Sequence, residues 1–421
     1  MFLAENKARV IHPMFAPLLV MGLGVAFQAI TMLGLARYFG PGDFGLYSVY
    51  LALITVAIEV AGLGSSDLMV RHVSADASLA PTWLSHSLTT GIATGAALSL
   101  LCSTALALWA PTAFAGLAIW PIVLIDLVSG RISLCIEQAF IALGKPLLAN
   151  LARALVFGIR LIAAVTFIAF QSDRARNVES WLIAQAGCSL AACGVSLLVI
   201  NGICGPLRPR FHAHEFGNGI ALGAAQVLRI LQQNSDRLVL GLVLPPVMLG
   251  QYAAASRLVL MSLMFVQTYL RVIVPGYYQA EMVQAGGALR FAKRIVPGAA
   301  VLSVVATIAS IAALAVAEHV LGKQYDSVFW IGVGLTPQLI LIAAQYVVGD
   351  VMAASRMGHE RMWAGIATVP LSAAALYLAA TWFGLLGVVI SSNVILALNV
   401  MALLSFVLRK RRTMRTTTAL A

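Results

Sequence analysis

Twelve long apolar runs constrain the fold of this chain more than any other feature of its sequence. Each is roughly 20 residues or longer, the length an α-helix needs to cross about 30 Å of hydrocarbon. The chain is 61% hydrophobic and only 10% charged, which excludes a water-soluble domain with its usual charge content of about 25%. The runs also lack the alternation of barrel strands. We therefore predict an all-α polytopic membrane protein with about twelve transmembrane helices around a central cavity, at 13–35, 44–66, 83–110, 115–142, 147–170, 180–201, 216–244, 250–279, 295–317, 327–355, 362–383 and 385–408.

Basic residues predict the orientation of these spans. With the N-terminus in the cytoplasm, the cytoplasmic segments hold sixteen Lys and Arg residues and the opposite side holds four. Cytoplasmic loops carry an excess of Lys and Arg, so both termini are expected inside the cell. The same rule accounts for the net charge of +11, and we expect no nucleic-acid partner.

An internal repeat divides the sequence near its middle. Pro41 and Pro246, like Gly45 and Gly250, lie 205 residues apart, close to half of the 421 residues. The tyrosines at 47 and 252 and the glutamines at 28 and 233 share this offset. Six spans in each half would give the two repeats the same orientation, as in rocker-type transporters. The predicted division is a six-helix half over 1–205 and a second over 206–421, the latter with a basic cytoplasmic tail.

Seven arginines lie inside the apolar runs. A guanidinium in hydrocarbon costs at least roughly 2.5–3.5 kcal/mol on insertion scales, so each arginine needs a partner or a wet cavity. Arginine also donates paired hydrogen bonds to phosphate and remains charged in any plausible environment. The chain is therefore predicted to transport an anionic substrate, and the residues concerned are Arg131, Arg153, Arg160, Arg229, Arg237, Arg257 and Arg271.

The seventh span has a polar stripe. Gln226, Arg229, Gln233 and Asp236 recur at i, i+3, i+7 and i+10, which places them on one helical face. Such a stripe faces protein or water rather than lipid. We expect Arg229 to line the cavity, with Asp236 and Arg237 nearer its periplasmic end. The alternative is a structural pair between Asp236 and an arginine that holds the two halves together.

The other span arginines are candidates for the same cavity. Arg160 is near the middle of its span, while Arg153, seven residues earlier, could snorkel towards the headgroups. Arg257 and Arg271 lie about 21 Å apart along one side of a helix. They are candidates for two successive substrate-binding positions along one transport path. Separate interface arginines are the alternative. Arg131 points away from the acidic face of its own span.

Buried acids supply candidates for ion coupling. Glu59 is near the middle of the second span, and Asp126 shares one face of the fourth span with Glu137. Unpaired, such carboxyls are expected to take up protons, because burial disfavours the charged form. We name Glu59 and Asp126 as ion-coupling candidates, with pairing to the arginines as the alternative.

The first hairpin resembles a known family. Residues 36–48, which read ARYFGPGDFGLYS, are similar to the first hairpin of the polysaccharide-export flippases of the multidrug/oligosaccharidyl-lipid/polysaccharide superfamily. Residues 234–241, followed by Gly250 and Tyr252, are similar to the matching hairpin of the second half, although Pro245-Pro246 replaces the usual Gly-Pro. The motif residues themselves are expected to shape turns.

The resemblance implies a function. It implies a flippase of the bacterial inner membrane that moves a polyprenyl-pyrophosphate-linked oligosaccharide by alternating access around a cationic cavity. Membrane lipids and the polysaccharide polymerase or export machinery would be its partners, and no cofactor or metal is implied.

Two other functions are open. A cation-coupled drug antiporter of the same fold would favour a cavity dominated by carboxylates, yet arginines outnumber acids in the spans by seven to five. A membrane glycosyltransferase or polymerase would usually need a large external loop, and the longest such loop is about 171–179. We therefore expect a transporter rather than an enzyme.

Overall fold

The computed structural model describes residues 2–114, 119–170, 178–212, 215–284, 286–355 and 357–420. Within these ranges the secondary structure is helical, with no strand. The α-helices are α1 (Phe2–Ala61), α2 (Ser65–Ala75), α3 (Ala80–Trp109), α4 (Pro111–Phe114), α5 (Ile119–Ala142), α6 (Pro146–Phe170), α7 (Val178–Cys204), α8 (Phe216–Val243), α9 (Pro246–Val283), α10 (Gly287–Leu321), α11 (Val328–Leu335), α12 (Pro337–Ala354) and α13 (Gly358–Leu420).

The helices confirm the predicted fold class, a polytopic all-α membrane protein. Among the described residues, nine helical segments are long and apolar enough to cross a membrane. Two of them hold more than one predicted span, because α1 is broken by non-helical Gly40 and α13 by Gly384. The predicted tenth span is divided between α11 and α12, where Pro337 begins the second helix. The count of twelve stays a prediction, as does the orientation.

The chain divides into two compact units. The first comprises Met1–Phe39 and Leu46–Asn234, and the second comprises Gly40–Gly45 and Ser235–Ala421. The proposed six-helix halves at 1–205 and 206–421 remain a prediction from the repeat.

The core of the first unit lies among α2, α3, α5 and α7. Leu84, Cys135 and Phe140 are buried there against Met69. Small hydroxyl and thiol groups occupy part of this core, including Ser66 and Ser87, which hydrogen-bond one another at 3.2 Å. Small side chains let helices approach closely in membrane proteins, where lipid offers no hydrophobic drive for their association.

The repeated hairpin motif has a structural role within the second unit. A Cβ on Gly45 would overlap the backbone carbonyl oxygen of Pro246, and a Cβ on Gly250 would overlap that of Pro41. The two motifs thus pack against each other reciprocally. Gly40, with φ of 75°, breaks α1 beside them in a backbone conformation that favours glycine. The glycines of the repeat therefore mark a place where two helical segments pack so closely that both need glycine.

Candidate functional site

A polar cavity lies inside the first unit. Its volume is about 150 Å³, and it opens where α1 ends and α2 begins, against α5 and α8. Such a volume holds several water molecules or a small polar group. Its lining carries both signs of charge: Glu59, Gly64, Ser66, Asp67, Arg131, Leu134, Gln138, Gly223, Gln226 and Arg229.

Arg131 reaches the cavity from α5 through a niche of small residues. Its side chain is only 2% exposed, and its Nη2 donates to the hydroxyl of Ser66 at 2.6 Å. A Cβ on Gly62 would overlap the guanidinium, and one on Gly91 would lie 2.7 Å from the Arg131 Cγ. The Nε atom is buried with no hydrogen-bond partner among the described residues. The niche therefore holds the arginine in place while leaving part of its donor capacity unused.

Arg229 enters the cavity from α8. Its Nη2 donates to Oε1 of Gln226, one helical turn earlier, at 2.6 Å. The Gln226 amide also lies beside the Glu59 carboxyl group. Like that of Arg131, the Nε of Arg229 is buried without a hydrogen-bond partner in the described parts of the chain.

Neither cavity arginine forms an ion pair at contact distance with a described carboxylate. Across the described residues, the ion pair within 4 Å joins Arg153 to Glu137. The Arg153 side chain remains partly exposed in this pair. A buried guanidinium without a directly bonded acid retains N–H donors for a bound anion.

Two carboxyl groups complete the cavity. Glu59 belongs to α1, and Asp67 lies in the first turn of α2. Fully ionised, the two acids balance the two arginines, so that the empty cavity is formally neutral.

A second polar network lies deeper in the first unit, around Asp126. One carboxylate oxygen of Asp126 accepts hydrogen bonds from Tyr50 at 2.8 Å and from Gln185 at 2.6 Å. The other accepts from Ser189 at 2.8 Å, and Ser189 in turn accepts from Arg160 at 2.9 Å. Asp126 thus positions Arg160 through a hydroxyl group and is itself surrounded by donors.

The structure brings together some of the predicted site residues and separates others. Arg131, Arg229 and Glu59 meet in the cavity, whereas Arg160 and Asp126 belong to the second network. In the second unit, Asp236 accepts from the Tyr252 hydroxyl at 3.0 Å.

The remaining candidates are distributed along α8 and α9. Gln233 is exposed, Arg237 is 2% exposed, and Arg257 is half-buried. The side chain of Arg271 lies outside the described residues.

Sequence reasoning did not include Asp67, Gln138 or Ser66 among the site residues. Asp67 lies just beyond the predicted second span, which ends at 66. The sequence does contain a signal for these residues: Gly62 and Gly64 interrupt the apolar run, and a polar Ser-Ser-Asp run follows directly. A polar run after a broken helix can line a cavity at membrane depth. Among the described residues, no three metal-ligating side chains cluster.

Comparisons with known proteins match this chain to one sequence family and to several solved folds. A family model described as "Polysaccharide biosynthesis protein" matches residues 14–280. A search of curated proteins gave no match.

Three solved structures illustrate the likeness in fold. "Lipid II flippase MurJ, inward closed conformation" aligns with a TM-score of 0.69 at 11% identity, over 93% of this chain and 86% of that one. An inward-facing multidrug resistance MATE transporter of the MOP superfamily aligns at 0.62 and 17% identity, over 96% and 95% of the two chains. The MATE multidrug transporter DinF-BH aligns at 0.64 and 14% identity, over 94% of each chain. At these identities the likeness concerns the fold.

Proposed function

The chain belongs to the polysaccharide biosynthesis protein family, and on that premise we propose that it flips a polyprenyl-pyrophosphate-linked oligosaccharide across the bacterial inner membrane. The coarser role, a membrane transporter or flippase, is supported by the family and by the fold that this chain shares with solved flippase and transporter structures. The lipid-linked cargo, the inner membrane and alternating access are the proposed part.

The cavity arginines carry the proposal. Buried Arg131 and half-buried Arg229 line one cavity. Each has a buried Nε without a hydrogen-bond partner among the described residues, and neither contacts a described carboxylate within 4 Å. A pyrophosphate diester brings two negative charges and several acceptor oxygens. Guanidinium groups bind such oxygens through short, charge-assisted hydrogen bonds. Two arginines at one cavity therefore favour a phosphate-bearing cargo.

The size of the cavity suggests which part of the cargo it holds. About 150 Å³ suits a phosphate-sized group and is too small for an oligosaccharide. In the proposed mechanism the cavity binds the diphosphate, the sugars remain in a wider aqueous space, and the polyprenyl chain stays in lipid. Membrane lipids and a polysaccharide polymerase or export machinery are the proposed partners.

The other candidate residues keep subsidiary roles in this proposal. Arg160 is positioned by Asp126 through Ser189, so we propose that it contributes positive charge rather than direct contact. Further contacts along the cargo path are proposed for Arg257, Arg271, Gln233, Asp236 and Arg237. Glu59 and Asp126 remain the proposed ion-coupling candidates.

A second candidate function is a cation-coupled antiporter of small molecules. The carboxylates Glu59 and Asp67 favour it, since they share the cavity and would suit a cationic ligand. The two functions differ in the charge of the ligand that binds the cavity, which is negative for the flippase and positive for the antiporter.

The test replaces both cavity arginines. The double variant Arg131→Gln, Arg229→Gln is expected to lose surface polysaccharide while the protein still inserts in the membrane. The matched control is Arg290→Gln, which removes an exposed guanidinium on α10. Lipid-linked oligosaccharide should accumulate on the cytoplasmic leaflet in the double variant only. Normal export by the double variant at wild-type protein levels would refute the proposal, and loss of drug efflux with intact polysaccharide would support the antiporter.

A further inference from the structure

The cavity arginines share their site with an acid that is linked to one of them. Gln226 accepts from Arg229 at 2.6 Å, and its amide also lies beside the carboxyl group of Glu59. The charged groups that act on Glu59 are Arg131 on α5, Asp67 on α2 and Arg229 on α8. A single amide therefore connects the carboxylate to the guanidinium.

The charge balance of the cavity changes when an anion enters. Two carboxylates and two guanidinium groups give a neutral empty site. A diphosphate diester would bring the same volume to a net charge of minus two. Like charges repel strongly where water is scarce, so a proton taken up by one carboxyl group relieves the excess.

We propose that Glu59 is the resident counter-anion of this cavity, which the cargo's diphosphate displaces and which takes up a proton as the diphosphate binds. This inference rests on the proposed function, because it assumes that the cavity binds a diphosphate. It adds a proton to the binding step and assigns that proton to one carboxyl group.

The structure distinguishes Glu59 from three other acids of the first unit. Asp126 accepts hydrogen bonds from three side chains and does not line the cavity. Glu137 is ion-paired with Arg153. Asp67 also lines the cavity, but the Gln226 amide that lies between Glu59 and Arg229 does not act on it. Asp67 therefore serves as the comparison residue in the experiment.

Two consequences follow for binding. Affinity for a diphosphate diester should rise as the pH falls, by up to about tenfold per pH unit while one proton is taken up. Glu59→Gln removes the negative charge permanently. It should therefore bind at pH 8 as tightly as the wild-type protein does at low pH, and it should lose the pH dependence.

The experiment uses the full-length protein in lipid nanodiscs, with UDP-glucose as a soluble diphosphate diester whose diphosphate charge is constant between pH 5.5 and 8.5. Calorimetric titration in two buffers of different ionisation enthalpy gives the number of protons taken up. The wild-type protein is expected to take up close to one proton within this range, and Glu59→Gln none. The control Glu318→Gln, an exposed acid on α10, should behave as wild type.

Each outcome decides a different point. Binding of UDP-glucose that depends on the two arginines but takes up no proton at any pH would overturn this inference alone. Uptake that persists in Glu59→Gln but vanishes in Asp67→Asn would move the proton to Asp67 and overturn the assignment. Binding that is absent, or unchanged in the double arginine variant, would instead contradict the proposed function itself.

Discussion

Replacement of Gly91 by alanine tests whether the niche around Arg131 controls the cavity. The new Cβ would lie 2.7 Å from Cγ and 3.1 Å from Nε of Arg131. Carbon atoms in good contact are about 3.5–4.0 Å apart, so the arginine must move by about 0.8 Å or more. Such a shift is enough to stretch the 2.6 Å bond to Ser66 towards the limit of a hydrogen bond.

The expected effects on folding and on binding differ in size. Alanine in a helix is favoured over glycine by about 0.8–1 kcal/mol, whereas overpacking costs about 1–3 kcal/mol. The protein should therefore lose no more than about 2 kcal/mol of stability and still fold. A misplaced charge-assisted hydrogen bond to phosphate should weaken binding by about 1.5–3 kcal/mol, or roughly 10- to 150-fold.

The assay measures thermal unfolding and diphosphate affinity on the same preparations. Gly187→Ala in α7 is the matched control, because its new Cβ would meet no atom within 4 Å. That control should be as stable as wild type or slightly more so, with unchanged affinity. If Gly91→Ala bound diphosphate as well as Gly187→Ala, the position of Arg131 would not control the site.

The remaining predictions concern packing, the second network and the ion pair. Gly250→Ala should sharply lower the yield of folded protein, because its methyl would overlap a backbone carbonyl, whereas Gly42→Ala, whose nearest neighbour would be at 3.8 Å, should unfold at the wild-type temperature. Equal melting temperatures for these two variants would contradict the reciprocal packing. Asp126→Asn should destabilise the protein by about 1–3 kcal/mol, since it places an amide donor among three donors. An unchanged melting temperature would show that these bonds contribute little. A double-mutant cycle on Arg153 and Glu137 should give a coupling energy of at most about 1 kcal/mol, because the arginine side chain is 36% exposed. A coupling of several kcal/mol would indicate that the pair is effectively buried.

Sequence patterns were sufficient for the broad architecture and the family. Run lengths and composition predicted an all-α membrane protein, and the first hairpin motif indicated the family that the family model then matched. The repeat at offset 205 marked Gly45 and Gly250 as special. It did not reveal that each packs on the proline of the other motif.

The grouping of the candidate site residues could be predicted only in part, since helical periodicity describes one helix at a time. It placed Gln226 and Arg229 on one face of the seventh span, and both line the cavity. The same stripe included Gln233, which is exposed, and Asp236, which contacts Tyr252. A stripe shows that a helix face avoids lipid, but each residue along it meets a different neighbour.

The amino-acid sequence by itself determined that this chain forms apolar helices, because a backbone in lipid must satisfy its own hydrogen bonds. It also determined that several positive charges would lie among them. Only the tertiary structure decided which charges are neutralised locally and which face a cavity. Arg153 meets Glu137 across sixteen residues, whereas Arg131 is held by Ser66, sixty-five residues away. Contacts between distant segments depend on which helices pack together, and no local pattern encodes that choice.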